Sequence, residues 1–338
     1  MKKKYLIWAI TVLVLSVLGA CSSSSEKEQG SDKKVDEEKI TLRIGQTGWG
    51  SYEEALKAAG LDQDIPYNIE YSVFQGGNLI LEAMAAGHVD FGGTSEIPPI
   101  FSSLSANGDV IKSIAISNSN TLLQEVVVPK DSPIKSVADL KGKKVAYVQN
   151  TTAHYFLAKI LEEAGLSWED IDPQPLTTAD GLTALLGGNV DALASYGNSI
   201  ITAKENGSTT LASAKEILSG NFPISVHASV LEDDKKRQAV LDYLDRLNKS
   251  YEWQRDNIEE WAEIYANNTK QPVETALKTL QEGEQQRPTK IIPVTEEAIA
   301  SQQDIADVFT SIGLITEKVD VTSIWDQSFN EEVNKLNQ

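Results

Sequence analysis

The chain has 338 residues, 41% of them hydrophobic, with one cysteine and 49 acidic against 30 basic side chains, for a formal net charge of -19. That balance argues against nucleic acid or an anionic membrane surface as a partner, because both are met by a basic face. A lone thiol excludes an internal disulfide and a cysteine-based metal or catalytic site, so apolar cores must hold the about 300 residues that fold, enough for two lobes of ordinary size.

The first segment runs Met1-Lys2-Lys3-Lys4, then apolar from Tyr5 to Leu18, then Gly19-Ala20-Cys21. This is the charged, apolar and small-residue order of a secretory signal, and the run is too short for a stable membrane span. Leu18-Gly19-Ala20-Cys21 resembles a bacterial lipobox. The resemblance implies a lipoprotein signal peptide over residues 1–20 and lipid on Cys21, which would anchor the protein to the outer face of the cell membrane (the periplasm where an outer membrane exists). Residues 21–39 carry almost no large apolar side chains, so they cannot offset the entropy of ordering and read as a flexible tether.

From Ile40 onward short apolar strands alternate with amphipathic helices, the pattern of an α/β protein with largely parallel sheets. Strands are predicted at 41–45, 68–73, 89–92, 111–116, 125–128, 144–148, 191–195 and 224–229. Helices are predicted over 78–86, stopping at Gly87, over 152–164, with Leu157, Ile160, Leu161 and Ala164 on one face before Gly165, and over 180–186, ending at Gly187-Gly188. Beyond Val230 the strand pattern ceases, and Val240, Leu244, Leu247, Tyr251, Ile258, Trp261 and Tyr265 recur at helical spacing as packing residues. The sequence carries no Gly-x-Ser-x-Gly elbow, His-Glu-x-x-His or Walker loop, and neither a metal site nor a cofactor is expected.

Gly92-Gly93-Thr94-Ser95-Glu96-Ile97-Pro98-Pro99, the stretch Ser132 to Val145, Gly188-Asn189-Val190-Asp191-Ala192, Arg287-Pro288 and Ile305-Ala306-Asp307-Val308-Phe309 resemble the aliphatic-sulfonate-binding proteins of ABC importers. The likeness covers nearly all of the chain after the tether. It implies a type II periplasmic-binding-protein fold with central mixed sheets, in which lobe one comprises 40–121 plus 232–338, lobe two comprises 122–231, and hinges lie near Thr121-Leu122 and Leu231. It further implies a monomer that takes a small anionic or zwitterionic solute into the cleft between lobes and hands it to ABC permease and ATPase subunits. Taurine, nitrate or another small organic solute is the alternative cargo within the same family.

The first N–H groups of a helix lack internal partners and carry partial positive charge, so strand-to-helix turns are the places to look for an anion site. Thr94, Ser95 and Glu96 follow one strand and precede a helix whose first turn holds Pro98-Pro99. Asn150, Thr151, Thr152 and His154 offer hydroxyls and N–H groups at the start of another helix. Gln46, Gly48 and Trp49, with Gln75, Gly76 and Gly77, form glycine-containing turns that let backbone approach a ligand. None of these four loops contains lysine or arginine, so neutral donors are expected to hold the anionic head. Glu96 either holds an ammonium of a zwitterion or completes its own helix cap; His154 is either a neutral helix-start residue or a ligand donor. Where many relatives carry Trp-Asp-Pro-Tyr after the Asn-Val-Asp-Ala motif, this chain has Ser195-Tyr196-Gly197-Asn198-Ser199, so Tyr196 and Asn198 are expected to face the cleft. An enzyme on the same fold, with His154 and Glu96 as acid and base across a cleft, is the competing reading.

Overall fold

The computed structural model describes residues 39–49, 51–74 and 76–338. The expected signal, residues 21–38 of the expected tether with Cys21, and also Gly50 and Gln75, lie outside the described residues. The strands are β1 (Thr41–Thr47), β2 (Asn68–Phe74), β3 (Phe91–Gly93), β4 (Ile111–Asn118), β5 (Gln124–Val128), β6 (Lys144–Tyr147), β7 (Asp172–Pro175), β8 (Ala192–Tyr196), β9 (Thr209–Ser213), β10 (Asn221–His227) and β11 (Lys290–Ile292). The helices are α1 (Ser51–Ala58), α2 (Gly77–Ala85), α3 (Ile97–Ser103), α4 (Thr152–Glu163), α5 (Thr178–Leu186), α6 (Asn198–Glu205), α7 (Ser229–Glu232), α8 (Asp234–Asp256), α9 (Ile258–Thr269), α10 (Val273–Gln286), α11 (Glu296–Ser311) and α12 (Asn330–Lys335).

The strands form two sheets, ordered β11-β4-β10-β3-β1-β2 and β7-β6-β8-β5-β9. Each is mixed. In the first, β1 runs parallel to β2 and β3, while β10 runs antiparallel to β3 and β4. In the second, β6 is parallel to β7 and β8, while β5 is antiparallel to β8 and β9. The antiparallel members flank the points where the chain passes from one sheet to the other, because a strand that enters after such a passage does not need a crossover helix to reverse it.

The outward passage from the first sheet to the second occupies residues 119–123. The return is different. β10 hydrogen-bonds to β3 and β4, so the chain is back in the first sheet by Asn221, ahead of the Leu231 that the resemblance implied. The two passages run side by side: the Ser119 amide donates to the Gly220 carbonyl at 2.9 Å, and the Asn118 amide side chain donates to Asn221 Oδ1 at 3.0 Å.

α4 covers one face of the second sheet with Phe156, Leu157 and Leu161, while α5 and α6 cover the other through Leu185 and Ile200. On the first sheet, α8 buries Val240, Leu244 and Leu247 as its spacing predicts, with Tyr243 edge-on to Phe91 at 5.0 Å. The α4 core continues without interruption into α3 and α11, through Ile97, Ile305 and Phe309. One polar anchor lies in the first sheet: Asp90, whose side chain is fully buried, accepts from Arg43 Nε at 2.7 Å and from Lys236 Nζ at 2.8 Å. Such a charge is tolerable in the interior only because it is paired and hydrogen-bonded.

Candidate functional site

Parallel pairing puts the C-terminal ends of β1, β2 and β3 on one edge, with Thr47 opposite Phe74 and Gly45 opposite Gly92. The loops that follow therefore lie side by side. Gln46 is buried, and its Oε1 accepts from the backbone N–H groups of Tyr52 at 3.1 Å and Glu53 at 3.4 Å. The first N–H groups of α1 are thus met in part by the chain itself, while the buried Gln46 Nε2 has no partner among the described residues. Tyr52 packs so closely on the β3 end that any side chain at Gly93 would collide with its hydroxyl. Gly77 opens α2 against the same loop, and a Cβ there would stand 3.0 Å from Thr94 Cβ and 3.3 Å from Pro98. Gly48, with φ of +72°, ends the turn after β1, and Gly76 lies just ahead of α2 in extended backbone.

Thr94 is buried; its N–H donates to the Pro223 carbonyl at 3.0 Å and its hydroxyl to the Ser95 carbonyl at 2.8 Å. Its N–H is therefore committed to β10. Glu96 occupies the residue before α3, but its side chain makes no cap bond, so it does not complete its own helix cap. The carboxylate turns instead toward the return passage, where Oε2 accepts from Ser219 Oγ at 2.6 Å, with the donors of Asn221 and Ser301 close by. Burial pushes this carboxyl up to about 7, with those donors opposing the shift.

On the second sheet, the β6 end and the β8 end lie together because these strands pair in parallel. Asn150 adopts a left-handed φ of +57°, which aims its backbone N–H at His154 Nδ1, 3.3 Å away. The Thr151 hydroxyl donates to the Val148 carbonyl at 2.6 Å and is hydrogen-bonded with the Tyr196 phenol, while the Thr152 hydroxyl donates to Gln124 Oε1. His154 is not at the loop surface. It is enclosed by Tyr147, Trp168 and Phe309, with ring centroids at 4.6, 4.8 and 5.2 Å, and burial lowers its pKa to about 4. The ring is a neutral packing element that also stops the Asn150 loop.

The two loop groups are joined through a helix that sequence reasoning had assigned to packing alone. Trp49 lies against Trp261 and Tyr265 of α9, at 5.6 and 5.8 Å between ring centroids. Just past α9, Gln271 Nε2 donates to the exposed Asn198 Oδ1 at 2.8 Å. Gln271, Tyr52 and Ser219 were missed and Tyr265 was read as a packing residue only, since each acts through a partner distant in sequence. A surface cavity of about 390 Å³ at the outer edge of β2 is lined by Glu53, Lys57, Asp62 and Tyr67, and one of about 500 Å³ by Val137, Ile160, Glu163 and Ile217. Neither is lined by the solute-loop candidates.

The family model described as NMT1/THI5 like matches residues 58–257, more than half of the chain. The chain belongs to the NMT1/THI5-like family. An Escherichia coli (strain K12) member named for binding aliphatic sulfonates is 32% identical over 260 residues, covering 76% of this chain and 79% of the relative. The crystal structure of the periplasmic aliphatic sulphonate binding protein SsuA from Escherichia coli matches at a TM-score of 0.75 and 31% identity, over 85% of this chain and 92% of the other. SsuA from Xanthomonas axonopodis pv. citri, bound to MOPS, matches at a TM-score of 0.75 and 27% identity, over 86% and 99% of the two chains. These likenesses bear out the periplasmic-binding fold and place this NMT1/THI5-like chain among binding proteins. The desulfurization enzyme DSZB shares the fold alone, at 17% identity and a TM-score of 0.63.

Proposed function

We propose that the protein is an extracytoplasmic solute-binding protein that takes a small organic anion, an aliphatic sulfonate, between two lobes and delivers it to the permease and ATPase subunits of an ABC importer. The reading is carried by one observation: hydroxyl- and glycine-bearing loops without a cation, on the parallel edges of two separate sheets, are tied together through Trp49, α9 and the Gln271–Asn198 bond. Loops of this kind suit a sulfonate head, whose charge is spread over three oxygens and is matched by several neutral donors. The relatives named for sulfonates support that class.

The lobes follow the sheets, with the paired passages at 119–123 and near Gly220 as the hinge, and ligand contacts on both sides favour closure. The protein acts as a monomer and without catalysis: His154 is sealed among aromatic rings and Glu96 is engaged by Ser219, so the two do not form an acid and base pair over a shared substrate. Lipid on Cys21 holds it at the membrane, and Cys21→Ala is expected to move it to the soluble fraction.

A thermal-shift panel of ethanesulfonate, longer alkanesulfonates, taurine, nitrate and sulfate tests the cargo. Ligand at 100 times its dissociation constant adds about 2.7 kcal/mol of stability. The largest shift is expected with an alkanesulfonate, and a panel in which no sulfonate moves the transition refutes the assignment.

A further inference from the structure

Glu96 follows the Thr94-Ser95 loop directly, yet its side chain serves the return passage between the sheets. Oε2 accepts from Ser219 Oγ at 2.6 Å, and that hydroxyl in turn accepts from the Asn221 N–H at 3.0 Å. From the other side, Arg287 donates from Nη1 to the Ser219 carbonyl, and to the Ser119 carbonyl of the outward passage at 3.2 Å. Ser219 is thus gripped by a carboxylate and a guanidinium at the point where the chain re-enters the first sheet.

The inner side of the carboxylate is incomplete. Glu96 Oε1 is buried and accepts no hydrogen bond among the described residues. Gln302 of α11 donates Nε2 to the Glu96 backbone carbonyl at 2.7 Å, which leaves its own Oε1 as a second buried acceptor without a donor. A buried carboxylate oxygen without a donor among the described residues is a place short of one proton. We infer that capture of an anionic solute at the Thr94-Ser95 loop is accompanied by uptake of a proton at Glu96, which acts as a positioning residue linking the solute loop to the return passage through Ser219.

This rests on the anion-binding reading above. The step is balanced: an O–H bond forms at Glu96 Oε1, the proton comes from solvent buffer, and nothing is oxidised or reduced. A second negative charge next to a buried carboxylate disfavours its ionised form, and burial already brings that group to about 7, where a modest push protonates it. The groups that act on it are Ser219, Asn221 and, from α11, Ser301. From α4 it is faced by the Tyr155 phenol, which donates to Asp304 of α11 at 2.6 Å, a carboxylate also approached by Lys159 at 3.6 Å. Once neutral, the carboxyl is a weaker acceptor for Ser219, so the grip on the passage relaxes as the solute enters.

Ethanesulfonate is a suitable probe because its own charge is constant from pH 5.5 to 8.5. Calorimetric titration of the full chain, in pairs of buffers that differ in ionisation enthalpy and carry no sulfonate, should show affinity falling about tenfold as pH rises through the interval above 7, with partial proton uptake at pH 7.5; tenfold corresponds to one unit of separation between free and bound forms. Glu96→Gln should bind with a flat profile, and Ser219→Ala, which removes a donor to the carboxylate, should move the decline to higher pH. In infrared difference spectra at pH 7.5, ethanesulfonate should raise a protonated-carboxyl band in the wild type. That band should be missing in Glu96→Gln, and the wild-type measurement stands even if the variant does not fold. Binding of constant affinity across the range, or a Glu96→Gln profile with the wild-type slope, overturns the coupling and leaves the anion-binding reading intact. Failure of ethanesulfonate to bind at any pH overturns the sulfonate reading and the coupling with it.

Discussion

Replacing His154 with phenylalanine separates two titrations that oppose each other in the same pH window. His154 is 2% exposed and packed on three aromatic rings, and burial holds its pKa near 4 where the ordinary value is 6.5. The unfolded chain therefore takes a proton on this imidazole before the folded one does. The stability it contributes is complete above 6.5 and is lost as pH falls through about 4, a gap of roughly two and a half units or about 3 kcal/mol. Glu96 works in the other sense: its pKa is raised from 4.5 to about 7, so the folded chain keeps the proton longer. Its contribution is complete below 4.5 and is lost as pH rises through 7, again about 3 kcal/mol. Between pH 4.5 and 7 the two nearly cancel in the wild type. Phenylalanine fills the same aromatic box and cannot ionise, and the Asn150 N–H that loses its acceptor is on an exposed residue that water reaches. In urea denaturation of the solute-free protein, His154→Phe should gain about 2.5 kcal/mol on the wild type between pH 7.5 and pH 4.5. A stability difference that is the same at both pH values would refute the assignment of a buried neutral imidazole.

Gly220→Ala should cost about 2 kcal/mol or more by urea denaturation, because the residue has φ of +77° and a methyl group there would collide with Arg287 and the Ser119 carbonyl. Asp90→Asn should cost about 2 kcal/mol, since Arg43 and Lys236 lose their common carboxylate while remaining partly exposed. Burial opposes ionisation of Asp90, but hydrogen bonds from Arg43 and Lys236 outweigh it and hold its pKa below the ordinary value; its stabilisation is present above that ordinary value and lost as pH falls through the lowered one, and acid denaturation of Asp90→Asn should lack this loss. Thr151→Val should weaken ethanesulfonate binding about tenfold by calorimetry at a stability cost of only about 1 kcal/mol, because it removes a hydroxyl bonded to the Val148 carbonyl and Tyr196 without emptying a core position.

Those parts of the fold that bury both faces were legible in the sequence. β1 announces itself by Leu42 and Ile44, β5 by its run of valines, and α4 by its apolar stripe and Gly165. β7, β9 and β11 went unread, and all three are edge strands. β7 carries two prolines in Asp172–Pro175, which an edge tolerates, and β11 has only three residues, so neither leaves a periodic pattern. β10 was recognised as a strand but not as part of the first sheet, because its partners β3 and β4 are more than a hundred residues away. The candidate loops are marked in the sequence by strand-to-helix turns. Which of their donors are free was not legible, since Gln46 spends its oxygen on α1 and Thr94 spends its N–H on Pro223.

The core beneath α4 is closed by Phe309, and the first sheet is completed only by β10 and β11. Neither half of the molecule can finish folding until residues beyond Lys290 have emerged. A polypeptide threaded through a narrow translocation channel from its N-terminus would thus stay pliable for almost the whole journey, and would lock its shape only after leaving the pore.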